Sequence, residues 1–442
     1  MNMTPKEIVA YLDDYIIGQN DAKRTIAIAL RNRYRRMQLS SELQEDIIPK
    51  NILMIGSTGV GKTEIARRMA KMMSLPFVKV EASKYTEVGY VGREVESMIK
   101  DLAYESFNLV TKEYEDKIQD SIDSEVIKQI VEILVPSLPE SASENSKDSF
   151  IKTYNMMEKK VLSGDMDDKK ITISLPKNTH VEIVDSNMPM DMSAISESIN
   201  SMIGKMGKEK IEKEVTIAEA KKLLRGIASD NLLDKESLKQ EAVKRCENGG
   251  IIFLDEIDKI ATGGNNKNQD PSKEGVQRDL LPIVEGSNVQ TKYGQIKTDH
   301  ILFIAAGAFH VSKPSDLLPE LQGRFPLRVE LHPLDEDALY KILTNTKNSL
   351  LRQYKALLDV EGVNLEFDDN AIKAFASLSV SANEKAEDIG ARRLHTVIEK
   401  VLEDISFDAD EHEGETITIT EELVNDKLQD IVQNEDTARY IL

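Results

Sequence analysis

The chain has 442 residues, enough for two to four domains with cores of their own, and its single cysteine, Cys246, and six scattered histidines leave no disulfide framework and no zinc-site spacing. Its 57 basic and 77 acidic residues give a formal charge of −20, which excludes broad binding of a nucleic-acid backbone. No basic-then-apolar leader opens the chain and no uncharged apolar run of about 18 residues occurs, so we expect a soluble protein of the reducing cytoplasm, neither secreted nor membrane-spanning.

The first predicted element is a helix with its start written out: Thr4 as cap, Pro5 at the first position and Glu7 three residues after the cap. Gly18 breaks to a second, basic helix, whose run from Arg31 to Arg36 is expected to be a solvated face. NILMIG (51–56) and PFVKVEA (76–82) are apolar runs of buried-strand type around a helical stretch, a βαβ pattern that predicts a parallel sheet. From 109 to 243 charge is dense and apolar runs are short, which marks an insertion. Its methionines Met188, Met190, Met192, Met202 and Met206 are expected to pack helices rather than to grip unfolded substrate. The sheet resumes at GGIIFLDEID (249–258) and ILFIAAGAF (301–309). Beyond His332-Pro333 the pattern is helical, with one late alternating strand, TITIT. The expected fold is therefore α/β: residues 1–108 and 244–331 form a nucleotide-binding domain around a parallel sheet, 109–243 a mostly helical insert, and 332–442 a small α+β domain.

Residues 56–63 read GSTGVGKT and lie between a predicted strand and a predicted helix. Gly56, Gly59 and Gly61 let the backbone wrap phosphate oxygens at a helix N-terminus, Lys62 reaches the β/γ phosphates, and Thr63 offers a hydroxyl to Mg²⁺. The expected cofactor-binding stretch is Gly59, Val60, Gly61, Lys62, Thr63 and Glu64. In IIFLDEID the acids Asp255 and Glu256 end a strand at the edge where open α/β sheets bind ligands. Asp255 is expected to hold Mg²⁺ and Glu256 to polarise the attacking water, so the cofactors are ATP and Mg²⁺. Thr63 and Asp255 lie much further apart than the roughly 60 residues of two βαβ units, which puts the insertion between neighbouring strands.

These motifs, together with YIIGQ (15–19), EVGYVGREV (87–95), LPELQGRFPLRVEL (318–331), EDIGARRLHT (387–396) and the ending RYIL, resemble the HslU (ClpY) family over essentially the whole chain. Members of that AAA+ family are the ATPase subunits of bacterial HslUV proteases. The resemblance implies a P-loop NTPase core, an intermediate domain at the insertion, and a cytoplasmic homohexamer that unfolds unfolded or tagged proteins and feeds them to the HslV (ClpQ) peptidase dodecamer. It further implies that Ile17 contacts the adenine, that Glu320 belongs to a nucleotide site, and that Arg324 is an arginine finger reaching a neighbour's γ-phosphate. By the same resemblance Arg392 is expected to hold the sensor position at the GAR motif, with Arg393 as its rival, Gly89, Tyr90, Val91 and Gly92 to form a pore loop that pulls substrate, and Arg439, Tyr440, Ile441 and Leu442 to dock on the peptidase.

Two departures stand out: Ser57 where the family commonly has proline, and a strand ending in Ala305, Ala306 and Gly307 that offers no polar sensor residue. Charge disfavours a nucleic-acid motor, Glu256 and Arg324 disfavour a non-hydrolysing switch, and the missing four-cysteine zinc module together with the long insertion disfavours ClpX. A stand-alone protein-remodelling chaperone is the remaining alternative, and the RYIL tail discriminates it.

Overall fold

The computed structural model describes residues 3–47, 49–86, 92–135, 144–176, 210–262, 271–385 and 387–433. The chain divides into two compact units, residues 1–110 with 239–442 and residues 111–238. In chain order the described strands are β1 (Ile52–Ile55), β2 (Phe77–Glu81), β3 (Lys170–Pro176), β4 (Lys210–Thr216), β5 (Ile251–Asp255), β6 (Asn288–Thr291), β7 (Gly294–Lys297), β8 (Leu302–Gly307), β9 (Leu327–Glu330), β10 (Asn364–Phe367) and β11 (Thr416–Ile419).

In the first unit five strands form a sheet in the order β2-β5-β8-β1-β9, and every neighbouring pair is parallel. The inner strands β5, β8 and β1 are apolar almost throughout, as strands covered on both faces must be. Alternate residues feed opposite cores. Ile252, Leu254 and Phe303 pack with helices Ser97–Lys117 and Pro271–Glu285, while Ile251, Phe253 and Ile304 pack with helices Asn20–Met37 and Lys62–Met72. The expected α/β architecture is therefore present. β2 and β5 are direct neighbours, with Glu81 opposite Asp255, so the long insertion does fall between adjacent strands.

The N-terminal helix Pro5–Asp13 carries the predicted capping box: Thr4 Oγ1 accepts from the Glu7 N–H, and the Glu7 carboxylate accepts from the Thr4 N–H at 2.6 Å. Gly18 and Gln19 both take left-handed backbone angles (φ 65° and 54°) and turn the chain into the next helix. There the expectation of a solvated basic face needs correction. Arg33 and Arg36 are only 7% and 5% exposed. The Arg33 guanidinium donates to the carbonyls of Asn248 (3.0 Å) and Gly250 (3.1 Å), where helix Lys235–Gly249 ends, and to that of His300 (2.6 Å), just before β8. Burial, reinforced by Arg36 beside it, pulls its pKa down to about 9.

Beyond β9 the first unit continues as helices Glu336–Thr344, Leu350–Asp359, Asp369–Lys385, Arg392–Phe407 and Glu421–Gln433 around Leu339, Phe375, Leu394, Ile398 and Leu428. The TITIT run is β11, paired in parallel with β10.

The second unit has its own core, in which Ile122, Val126 and Ile130 of helix Gln119–Leu134 meet Ile171, Ile173 and Val215 of the antiparallel pair β3-β4 and Leu224 of helix Ile217–Leu232. Thr216 and Glu219 form a second capping box. The methionines from Met188 to Met206 lie outside the described residues.

Candidate functional site

At the carboxyl ends of β1 and β5 the first unit opens a cleft of about 550 Å³. Its phosphate end is the loop between β1 and helix Lys62–Met72, where Gly59, Val60, Gly61, Lys62, Thr63 and Glu64 all line the opening. Gly59 has φ +75°, and a Cβ there would lie 1.9 Å from the Ile389 carbonyl oxygen. A Cβ at Gly390, which has φ +56°, would lie 2.7 Å from the Thr58 carbonyl oxygen and 2.8 Å from the Gly59 carbonyl carbon, and the Ala391 N–H donates to the Gly59 carbonyl at 3.2 Å. Two glycines thus bring the segment before helix Arg392–Phe407 against the phosphate loop, backbone to backbone.

That contact separates the rival arginines. Arg392 is exposed and lines the cleft, close enough to Lys62 to lower its pKa. Arg393 is 2% exposed and turned away, its guanidinium donating to Asn383 Oδ1 and the Glu387 carbonyl. Successive helical positions point about 100° apart, so only one of the pair faces the cleft.

Lys62 is buried, and its ammonium donates to the Gly56 carbonyl and, at 2.7 Å, to the Ser57 carbonyl. Burial lowers its pKa, Asp255 and Asp258 oppose the shift, and Arg392 adds to it. An ammonium held by loop carbonyls is poised to exchange them for phosphate oxygens. Ser57, one of the departures, contributes its carbonyl to this arrangement.

Thr63 Oγ1 lies 3.5 Å from Asp255 Oδ2. A hydroxyl and a carboxylate with open space beside them suit Mg²⁺, which keeps several waters and takes few protein ligands. Asp255 Oδ2 also pairs with Lys79 Nζ at 2.8 Å. Glu256 sits at φ 57°, a backbone strain of about 1–2 kcal/mol for a side chain of this kind. Its carboxylate accepts from the Ser83 hydroxyl at 3.0 Å. Lys79, Ser83 and His395, which lines the cleft one turn after Arg392, were missed by sequence reasoning. The signal for Lys79 was a lone charge inside an apolar strand.

The other end of the cleft is apolar. Ile16, Ile17, Leu334 and Ile342 line it, the composition expected around a flat base. Glu64 is held by Arg68 at 2.5 Å, and the Arg68 guanidinium stacks 4.3 Å from the centre of the Tyr15 ring.

Glu320 and Arg324 do not join this cleft. They lie on the short helix Pro319–Arg324, where Arg324 pairs with Glu285 at 2.7 Å and stays 44% exposed at its side chain. Gly89, Tyr90, Val91 and the four tail residues Arg439, Tyr440, Ile441 and Leu442 lie outside the described residues; Gly92 is described, against Thr86.

Three known families match parts of the chain: the ATPase family associated with various cellular activities (AAA) over residues 52–159, the AAA domain (Cdc48 subfamily) over 168–328, and the C-terminal, D2-small domain of ClpB protein over 334–409. Among its relatives, the ATP-dependent protease ATPase subunit HslU of Campylobacter jejuni (serotype O:2) is 60% identical over 443 residues, covering 100% of both chains. The protein of the same name from Helicobacter pylori (strain 26695) is 59% identical over 443 residues, covering 100% of this chain and 99% of its own. With a phosphate loop and a strand-end acid pair lining one cleft, and relatives about three-fifths identical over its whole length, the chain belongs to the HslU family of AAA+ proteins.

Proposed function

We propose that the chain is the ATPase subunit of a two-component protease, an ATP-driven unfoldase that is not itself a peptidase. The observation that carries this reading is the convergence of Lys62, Thr63, Asp255, Glu256 and Arg392 on one cleft, in a chain matched end to end by proteins named for that role. Thr63 and Asp255 would hold Mg²⁺, which would supply positive charge to offset that of the phosphates. Lys62 leaves the loop carbonyls for the β/γ phosphates. Glu256 accepts a hydrogen bond from the attacking water, whose oxygen bonds to the γ-phosphorus as the bond to the β-bridging oxygen breaks. Arg324 and Glu320, exposed and remote from their own cleft, act at that of the next subunit in a homohexamer, where the arginine neutralises charge developing in transfer.

In the same reading residues 109–243 are the intermediate domain and 332–442 the small domain. Arg392 transmits phosphate contact to the small domain, the loop Gly89–Gly92 pulls unfolded or tagged substrate, and Arg439, Tyr440, Ile441 and Leu442 dock on the HslV-type peptidase of the cytoplasm. The test is capture of the tagged chain from its own cell extract with ATP, beside a version lacking its last four residues. A small ring peptidase should co-purify with the full chain alone. Recovery of an active ATPase with no peptidase in either sample would favour a stand-alone remodelling chaperone instead.

A further inference from the structure

Gln19 stands at the end of the loop that forms the apolar wall of the cleft, yet it does not line the cleft itself. The residue is 8% exposed, and its side chain makes two hydrogen bonds to one residue: Nε2 donates to the His332 carbonyl at 2.8 Å, and Oε1 accepts from the His332 N–H at 3.0 Å. His332 is the second residue past β9. The strand's pairing continues through the Leu331 N–H to Ile55, and at His332 a side chain takes over both backbone groups. Pro333 follows, which holds His332 extended, and Leu334 then enters the cleft wall. The amide therefore grips the residue at which the chain leaves the sheet for the small domain.

The other end of the same loop is tied to the small domain as well. The Lys347 N–H donates to the Asp14 carbonyl at 3.0 Å, and Lys347 Nζ pairs with the Asp14 carboxylate at 2.6 Å. Between these ties, buried Lys23 fixes the loop to its own helix through the Ile16 carbonyl and the Asp13 carboxylate. Ile16 and Ile17, the residues that meet a base, thus lie on a short segment fastened at Asp14 to one part of the small domain and at Gln19 to its point of entry. A displacement of the segment cannot stay local, because an amide with both of its ends bonded moves the residue it holds with it.

We infer that Gln19 is a positioning residue: it converts occupancy of the base end of the cleft into the angle at His332, and so into the orientation of the small domain. The inference rests on the nucleotide reading of the cleft, and its test measures nucleotide binding separately so that the two can fail separately. Gln19→Glu keeps the shape and the acceptor for the His332 N–H but turns a carboxylate oxygen toward the His332 carbonyl.

Thiols introduced at exposed Lys71 and Val360 carry a donor and acceptor dye pair, since Cys246 is buried, and the labelled chain is diluted into excess unlabelled chain so that energy transfer reports one molecule. ATP binding is read with a fluorescent ATP analogue. We expect the parent to change transfer efficiency on saturation. Gln19→Glu should bind within about threefold of it, as a residue with no ligand contact should, while losing at least about half of the change. Turnover should fall through kcat with KM nearly unaltered. Lys347→Ala, at an exposed position, should bind normally and lose a smaller part of the change, and it carries the test alone if Gln19→Glu does not fold. A full transfer change in either bound variant overturns the inference. Loss of ATP affinity in step with the signal overturns it too, because Gln19 would then only build the binding wall.

Discussion

The phosphate loop and the Glu320–Arg324 helix belong to the same compact unit, yet one is held backbone against backbone and the other by an exposed ion pair. At Gly59 and Gly390 there is no room for a methyl group, and Lys62 is buried with its ammonium donating to two loop carbonyls. At Arg324 the guanidinium has Glu285 as a surface partner and no groove to fill. The difference teaches where precision is required. On the proposed function, groups that cradle phosphate before any reaction are preorganised within one chain, whereas the group needed only while charge develops is left exposed, where it could reach the cleft of a second copy.

Substitutions sharpen that contrast. Arg324→Ala should lower kcat for ATP by about 10³-fold, with ATP affinity near that of the parent. Its stability should change by no more than about 1 kcal/mol, the ceiling for an exposed ion pair. Equal loss of affinity would place Arg324 in its own cleft and break the comparison. Glu256→Gln should retain nucleotide and lose turnover by about 10²-fold or more, checked by equilibrium binding and phosphate release. Gly59→Ala reverses the pattern: its methyl group must displace the Ile389 carbonyl, costing about 1–3 kcal/mol of stability and weakening ATP binding, read by thermal unfolding with and without nucleotide. The smallest effect belongs to Thr4→Ala, which removes the N-terminal cap for about 1 kcal/mol and leaves kcat unchanged. A catalytic defect there would show that the first helix takes part in more than packing.

Much of this was legible in the sequence because it depends on neighbours in the chain. The capping box at Thr4, the glycine spacing of the phosphate loop, and the apolar runs that became β1, β5 and β8 are each set by residues a few positions apart. What was not legible depends on strand order and long closure. Lys79 meets Asp255 only because β2 lies beside β5, and nothing in PFVKVEA announces that pairing. Arg33 seemed solvated because its partners are carbonyls 217 and 267 positions away, and carbonyls carry no sequence signature. The GAR motif pointed to Arg392, but that Arg392 lines the cleft while Arg393 is buried depends on helix rotation, which the motif does not state.

The central claim is that each site is completed by a neighbouring copy, and mixing tests it most directly. Arg324→Ala and Glu256→Gln chains, each nearly inactive alone, are combined in equal amounts, allowed to exchange subunits, and assayed for ATP hydrolysis. An intact Glu256 cleft in the first chain would then meet an intact Arg324 from the second, so activity should rise well above the sum of the separate samples. Activity that stays at that sum, with exchange verified, would contradict the account and place both groups in one chain's site.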